Sequence, residues 1–201
     1  MRGTYALNCV VAWVAAGSPT SWNDRGALKM LYWATGGPSW NVGWPITSSA
    51  TDPCLNGWYG VHCNTKGQII SLTLGNNNLR GYLPAAFARL TAIQILDVSG
   101  NYLTDTVPLT LGDLKSLKTL RLDHNAFTGT VPASLATLPH LMTLYVVYCL
   151  YVSTVPNPTV RTLEVNQFAA PLPLSIYTMQ NTPNFFVSFD GSLMPTAFDP
   201  Q

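Results

Sequence analysis

NNNLRGYLP (residues 76–84), GNYLTDTVP (100–108), HNAFTGTVP (124–132) and YCLYVSTVP (148–156) are four versions of one phrase. Pro84, Pro108, Pro132 and Pro156 close them at intervals of 24 residues. At such a period each unit buries its apolar face only against its neighbours, so the units stack as a solenoid. The functional question then narrows to what the surface of a short stack can present.

Working outward, the frame is L-x-x-L-x-L-x-x-N-x-L-x-G-x-L-P-x-x-L-x-x-L. The first copy runs through Ile69, Leu72, Leu74, Asn77, Leu79, Gly81, Leu83, Pro84, Phe87 and Leu90. The second has Ile93, Leu96, Val98, Asn101, Leu103, Val107 and Leu111, with Asp105 in the glycine slot. The third runs from Leu117 through Leu120, Leu122, Asn125, Phe127 and Gly129 to Leu138. A fourth opens at Leu141, Leu144 and Val146 but carries Cys149 where asparagine is expected. NQFAAPLP then puts Asn166, Phe168, Leu172 and Pro173 in frame as a fifth, and a degenerate sixth spans 185–195.

Each position has a physical role. L-x-L alternates with period two, so it predicts a short strand with leucines inward and the intervening residues outward. Successive strands pair in parallel on a concave face. The ladder of Asn77, Asn101 and Asn125, continued by Cys149, stands where the chain leaves the strand, and a buried amide there satisfies the turn's backbone groups. Gly and Pro shape the turn. The closing x-x-L-x-x-L has helical spacing and covers the convex side as a short 3₁₀ or α turn. The frame is that of a leucine-rich repeat, an α/β solenoid wound as a right-handed superhelix. The expected organisation is a leader at 1–17, a cap at 22–66, regular repeats at 69–156, and degenerate repeats with a tail at 157–201.

Composition narrows the function. Charged residues are 9% of the chain and the formal net charge is +1, whereas nucleic acid and anionic membranes require a basic patch or stripe. Arg2, the apolar run from Tyr5 to Ala16 and the small residues Ala15-Ala16-Gly17 read as an export signal, too short to span a bilayer. No later run approaches transmembrane length, and no C-terminal hydrophobic tail for a lipid anchor is read, so no membrane attachment is expected of the chain as written. Cys54 and Cys63 stand nine apart before the first repeat. A disulfide there staples the open end of the solenoid and fits an oxidising compartment. The competing metal reading, Cys54 with His62 and Cys63, offers only three ligands. Cys149 reads as a buried structural thiol.

Residues 22–63 carry a family resemblance. DRGALKMLYWATGGPSW, Gly43-Trp44 and DPCLNGWYGVHC resemble the N-terminal cap of plant-type leucine-rich repeat proteins, and the repeats follow in the same order. The phrasing is similar also to leucine-rich repeat surface antigens of kinetoplastid protists. The resemblance implies an extracellular or cell-surface recognition domain, as in receptor-like proteins and polygalacturonase inhibitors. Only about four good repeats are present, fewer than in most members.

No nucleophile elbow, paired catalytic carboxylates or phosphate-cradling loop is found, so neither catalysis nor a cofactor is expected. What remains is the outward residues of the strands. One slot aligns Thr73, Asp97, Arg121 and Tyr145, with Asp123, His124 and Tyr148 beside it. Tyr and Arg are enriched at binding hot spots. The expectation is therefore non-catalytic recognition of a protein or cell-surface glycan through Asp97, Arg121, Asp123, His124, Tyr145 and Tyr148. The bland alternative is a solvated polar face. Thr104 and Thr106, recurring as Thr128 and Thr130, allow a second hypothesis of ice binding on a flat threonine side. The frayed repeats after Tyr148 allow a third, a fragment of a larger surface protein.

Overall fold

The computed structural model describes residues 18–146, 166–168, 173–179 and 186–188. The leader segment, Tyr148 and Cys149 lie outside them.

The chain begins with a cap. Ser21 caps helix α1 (Trp22–Ala34) by accepting a hydrogen bond from the Asp24 amide at 3.1 Å, satisfying one orphan N–H of the first turn. Ala27, Leu28, Leu31 and Tyr32 bury one face of the helix, and the Asp24 carboxylate accepts from the Ile69 amide at 2.8 Å, tying α1 to the first repeat. Trp40, Trp44 and Trp58 pack with Tyr32 as a buried aromatic cluster, with ring centroids 4.8 Å apart for Trp40–Trp44 and 5.5 Å for Trp44–Trp58. Cys54 and Cys63 form the disulfide, their Cα atoms 5.6 Å apart, so neither sulfur is a free thiolate for a metal.

Asp52 knots this cap. Its carboxylate accepts from the Thr20 hydroxyl at 2.7 Å and from the amides of Thr20, Cys54 and Leu55, and lies 3.6 Å from Arg25. Burial opposes ionisation, but the hydrogen bonds from Thr20, Cys54 and Leu55 outweigh it, so the Asp52 pKa is lowered.

Beyond the cap, β2 (Ile69–Thr73), β4 (Ile95–Asp97), β6 (Thr119–Arg121), β8 (Thr143–Tyr145) and β10 (Phe186–Ser188) form a parallel sheet in that order. β1 (Val61–Cys63) pairs antiparallel with β2 and closes the first edge, covering groups that would otherwise template aggregation. Gly60, at φ 71°, brings its backbone against the Thr73 carbonyl, where an added Cβ would sit 2.1 Å from that oxygen. Thr73 N donates to Gly60 O at 2.8 Å, so the edge closure depends on glycine there.

A second, lateral set of short strands follows the asparagines. β3 (Arg80–Gly81) pairs with β5 (Tyr102–Leu103), and β7 (Thr128–Gly129) with β9 (Gln167–Phe168). On the convex side, 3₁₀ turns at Ala85–Arg89, Leu109–Asp113 and Ala133–Thr137 each follow a proline and stack on one another. Ser134 Oγ donating to Leu109 O at 3.1 Å joins two of them. The leucines of every coil share one core: Leu72, Leu96, Leu120 and Leu144 are all fully buried.

The asparagine ladder holds the coils in register. Asn101 accepts from the amides of Asn77 and Leu79 in the coil before it and donates to the carbonyls of Leu74, Val98 and Ser99. Asn125 repeats this pattern through Leu103 N, Val98 O and Leu122 O. Asn77 does the same for the cap, accepting from Val42 N at 2.7 Å and donating to Val42 O.

The fourth coil departs from the expected frame. The rung after Asn125 among the described residues is Asn166, which accepts from Phe127 N at 3.0 Å and donates to Leu122 O at 2.9 Å; Cys149, expected in the ladder, lies outside those residues. β9 follows Asn166 directly, and α2 (Leu174–Met179), after Pro173, packs on the Ala133–Thr137 turn. The fourth and fifth repeats read from the sequence are thus the two halves of one coil. From Asn125 to Asn166 is 41 residues against 24 from Asn101 to Asn125, so this coil carries 17 extra residues between its concave strand and its asparagine.

Three stability measurements follow. Asn166→Ala should cost as much as Asn125→Ala, ~2–3 kcal/mol by chemical denaturation, because each strands a buried amide and carbonyl; a neutral Asn166→Ala contradicts the assignment. Asp52 has a lowered folded pKa, so its contribution is present above the ordinary carboxylate value and lost as pH falls through the folded one. The Tm gap between wild type and Asp52→Asn should therefore close between pH ~5 and pH ~2, and a gap indifferent to pH would refute the knot. Finally, Asp105 has φ 62° in the slot held by Gly81 at 117° and Gly129 at 75°. Asp105→Gly should hold or raise stability by up to ~1 kcal/mol, whereas Asp105→Val should lower it by more than that.

Candidate functional site

The 24-residue offset of the concave strands turns the sequence frame into rows. Thr73 stands opposite Asp97, Asp97 opposite Arg121, Arg121 opposite Tyr145, and Tyr145 opposite Ser188. A parallel row runs Ser71, Ile95, Thr119, Thr143 and Phe186. The β10 members of both rows are not legible in the sequence, because 43 residues rather than 24 separate Ser188 from Tyr145.

Arg121 is the centre of the first row. One guanidinium nitrogen lies 3.6 Å from Asp97 Oδ2 and the other 3.4 Å from Asp123 Oδ2. The guanidinium carbon lies 4.9 Å from the centroid of the Tyr145 ring, within cation–π range. Burial works against the charge on Arg121, but the hydrogen bond to Asp123 and the fields of Asp97 and Asp123 overcome it, and the pKa is raised. Three partners thus fix a side chain that is still 40% exposed, so little rotamer entropy remains to be lost when a ligand docks on it.

The neighbouring groups are positioned by the turn. Asp97 Oδ1 accepts from the hydroxyl of Ser99 at 2.6 Å and from its amide at 2.9 Å, which aims the second oxygen at Arg121. Asp123 is buried, and its Oδ2 is shared between Arg121 and His124 Nδ1 at 2.9 Å. His124 has φ 54°, matching Asn76 at 54° and Gly100 at 62° in the coils below, and its ring is 62% exposed. Asp123 Oδ1 and Arg121 Nε are shielded from solvent with no hydrogen-bond partner among the described residues.

The structure therefore brings Asp97, Arg121, Asp123, His124 and Tyr145 into one patch; Tyr148 falls outside the described residues. The patch carries two carboxylates around one guanidinium. Isolated, the exposed Asp97–Arg121 pair contributes under ~1 kcal/mol; its value lies in holding Arg121 in place.

The threonine arrangement differs from expectation. The lateral ladder is offset by 22 residues rather than 24: Arg80 pairs with Tyr102 and Thr106 with Thr128. Thr104 and Thr128, and likewise Thr106 and Thr130, do not stand opposite one another. The flat double row of threonines needed for an ice-binding platform is not formed among the described residues. No helix among those residues is long and apolar enough to cross a membrane.

Leucine-rich repeat family profiles match residues 68–90 and 94–150. A probable leucine-rich repeat receptor-like protein kinase of Arabidopsis thaliana is 36% identical over 84 residues, which is 41% of this chain and 8% of that protein. Phytosulfokine receptor 1 of the same plant is 40% identical over 30% of this chain and 6% of its own length. This chain therefore corresponds to a small part of either curated relative. Among solved structures, the PEPR1–AtPEP1 complex superposes with a TM-score of 0.62 at 26% identity, over 83% of this chain and 21% of that one. The SOBIR1 receptor-kinase ectodomain from Arabidopsis thaliana gives 0.58 at 22% identity, over 87% of this chain and 95% of its own. Capped, laddered and stacked in this way, the chain carries leucine-rich repeats over residues 68–90 and 94–150 and is similar to the plant-type leucine-rich repeat ectodomains of receptor kinases.

Proposed function

We propose that this chain is an extracellular or cell-surface recognition module that binds a peptide or protein segment along its concave face, without catalysis. The observation that carries the reading is the Asp97–Arg121–Tyr145 row, one residue per coil, with Arg121 locked by two carboxylates and an aromatic ring. A ligand lying across the strands meets these side chains at the spacing of adjacent strands, ~4.8 Å. An extended peptide places consecutive residues ~3.3 Å apart, so it crosses the row with side chains near every coil.

The likeness to PEPR1, solved with AtPEP1, supports a peptide as the ligand class. The apolar leader at 1–17 and the Cys54–Cys63 disulfide support placement outside the cell. Receptor signalling is not carried over, since this chain matches only a small part of the curated relatives.

The test uses random 15-residue peptides displayed on phage and selected on the wild-type chain. Binders should lose at least ~30-fold in affinity on the Arg121→Glu, Tyr145→Ala double variant, about 2 kcal/mol. Arg121→Glu turns a like charge toward Asp97 and the buried Asp123 and lowers Tm, so the control for folding is Tyr145→Ala alone, which should keep Tm within ~4 °C of wild type and still lose affinity. Selected peptides that bind the variant as well as wild type would remove the concave patch from consideration.

A further inference from the structure

We propose that a hollow on the lateral flank, separate from the concave patch, binds a neutral pyranose unit of a glycan. The hollow has a volume of about 350 Å³ and spans three coils, bounded by Tyr82 and Leu83, by Asp105, Thr106 and Pro108, and by Thr128. That lies in the range of small-ligand sites, ~300–1,000 Å³.

Its chemistry is specific. Tyr82 is 49% exposed, an aromatic wall against which the C–H face of a sugar ring can pack. Asp105 is exposed, and its carboxylate makes no hydrogen bond or ion pair among the described residues. It stands at φ 62° where the coils before and after use Gly81 and Gly129. A carboxylate is thus kept at a backbone position that favours glycine, and such outliers cluster at functional sites. Thr106 and Thr128 face each other across a bridge, with hydroxyls not bonded to protein among the described residues. A carboxylate that can accept two hydroxyls, two hydroxyls that can donate or accept, and an aromatic face match the alternating polar and C–H surfaces of a pyranose.

Other ligands fit less well. Among the described residues the hollow has no basic residue in its lining, and Asp105 repels phosphate, sulfate or an acidic sugar. Arg80, on the adjacent strand, is held 4.3 Å over the Tyr102 ring and donates to Asn78 Oδ1 at 3.1 Å. An ammonium group would engage Asp105 and Tyr82 but leave both threonine hydroxyls unused, and one exposed carboxylate holds a cation only weakly.

The experiment is saturation-transfer NMR on the full chain with methyl α-mannopyranoside, methyl β-galactopyranoside and methyl β-glucopyranoside, and with Nα-acetyl-lysine methylamide as the cationic probe. At least one pyranoside should receive saturation at its ring protons. Tyr82→Ala and Asp105→Gly should each weaken its Kd at least tenfold, while Arg121→Glu leaves it unchanged. Asp105→Gly gives the turn the residue its neighbours use, so a loss there reports the carboxylate rather than the fold. The proposal is overturned if no pyranoside responds, if only the lysine derivative does, if Asp105→Gly binds like wild type, or if Arg121→Glu is the variant that abolishes the signal. The first three outcomes leave peptide binding at the concave face untouched, whereas the fourth would move the sugar onto that face.

Discussion

A buried asparagine amide, once per coil, is the interaction on which this structure depends. Leucines alone make neighbouring coils cohere, but apolar burial is non-directional and tolerates sliding. The amide does not. Asn101 engages three carbonyls and two amides in two coils at 2.9 to 3.0 Å, in a core where an unmatched polar group costs more than a single hydrogen bond returns. A slip of one residue between coils would strand the three that cross from one coil to the next, those with Leu74 O, Asn77 N and Leu79 N. The same side chain joins the cap to the repeats through Val42 and carries the stack past the long fourth coil through Asn166.

Register, once set, dictates the surfaces. With a 24-residue offset the concave strands place Asp97, Arg121 and Tyr145 side by side, and an arginine that would otherwise sample many rotamers is held between neighbours it meets only because the coils are aligned. The lateral strands follow a 22-residue offset. That shift separates the threonines that share a frame position, and it brings Thr106 against Thr128 at the hollow lined by Tyr82 and Asp105. One stack therefore presents two chemically distinct faces, one built on a locked cation and one on a free carboxylate.

Much of this was legible in the residues because period, strand alternation and turn chemistry agree at Leu72, Asn77, Gly81 and Pro84 and again one coil later. The row through Arg121 follows from the same frame, and the disulfide from the spacing of Cys54 and Cys63 just before the first repeat. The fourth coil was misread for a physical reason: a solenoid tolerates an excursion between strand and ladder, since loop closure costs little extra per added residue, whereas a fixed period does not register it. Asn166, Phe168 and Pro173 announce the return of the frame but, counted by period alone, read as a new repeat. The burial of Asp123 and the φ of His124 depend on the packing of adjacent turns, which no single repeat displays. The lateral offset was likewise hidden, because it arises from how the turns lean on one another.

Amide hydrogen exchange tests the central claim most directly. Leu79, Leu103 and Phe127 donate their N–H groups to the side chains of Asn101, Asn125 and Asn166. The account predicts that all three exchange only through global unfolding, with protection free energies agreeing within ~1 kcal/mol. Rapid exchange at Phe127 alongside slow exchange at Leu79 and Leu103 would mean that the fourth coil is not locked onto the stack, and would contradict it.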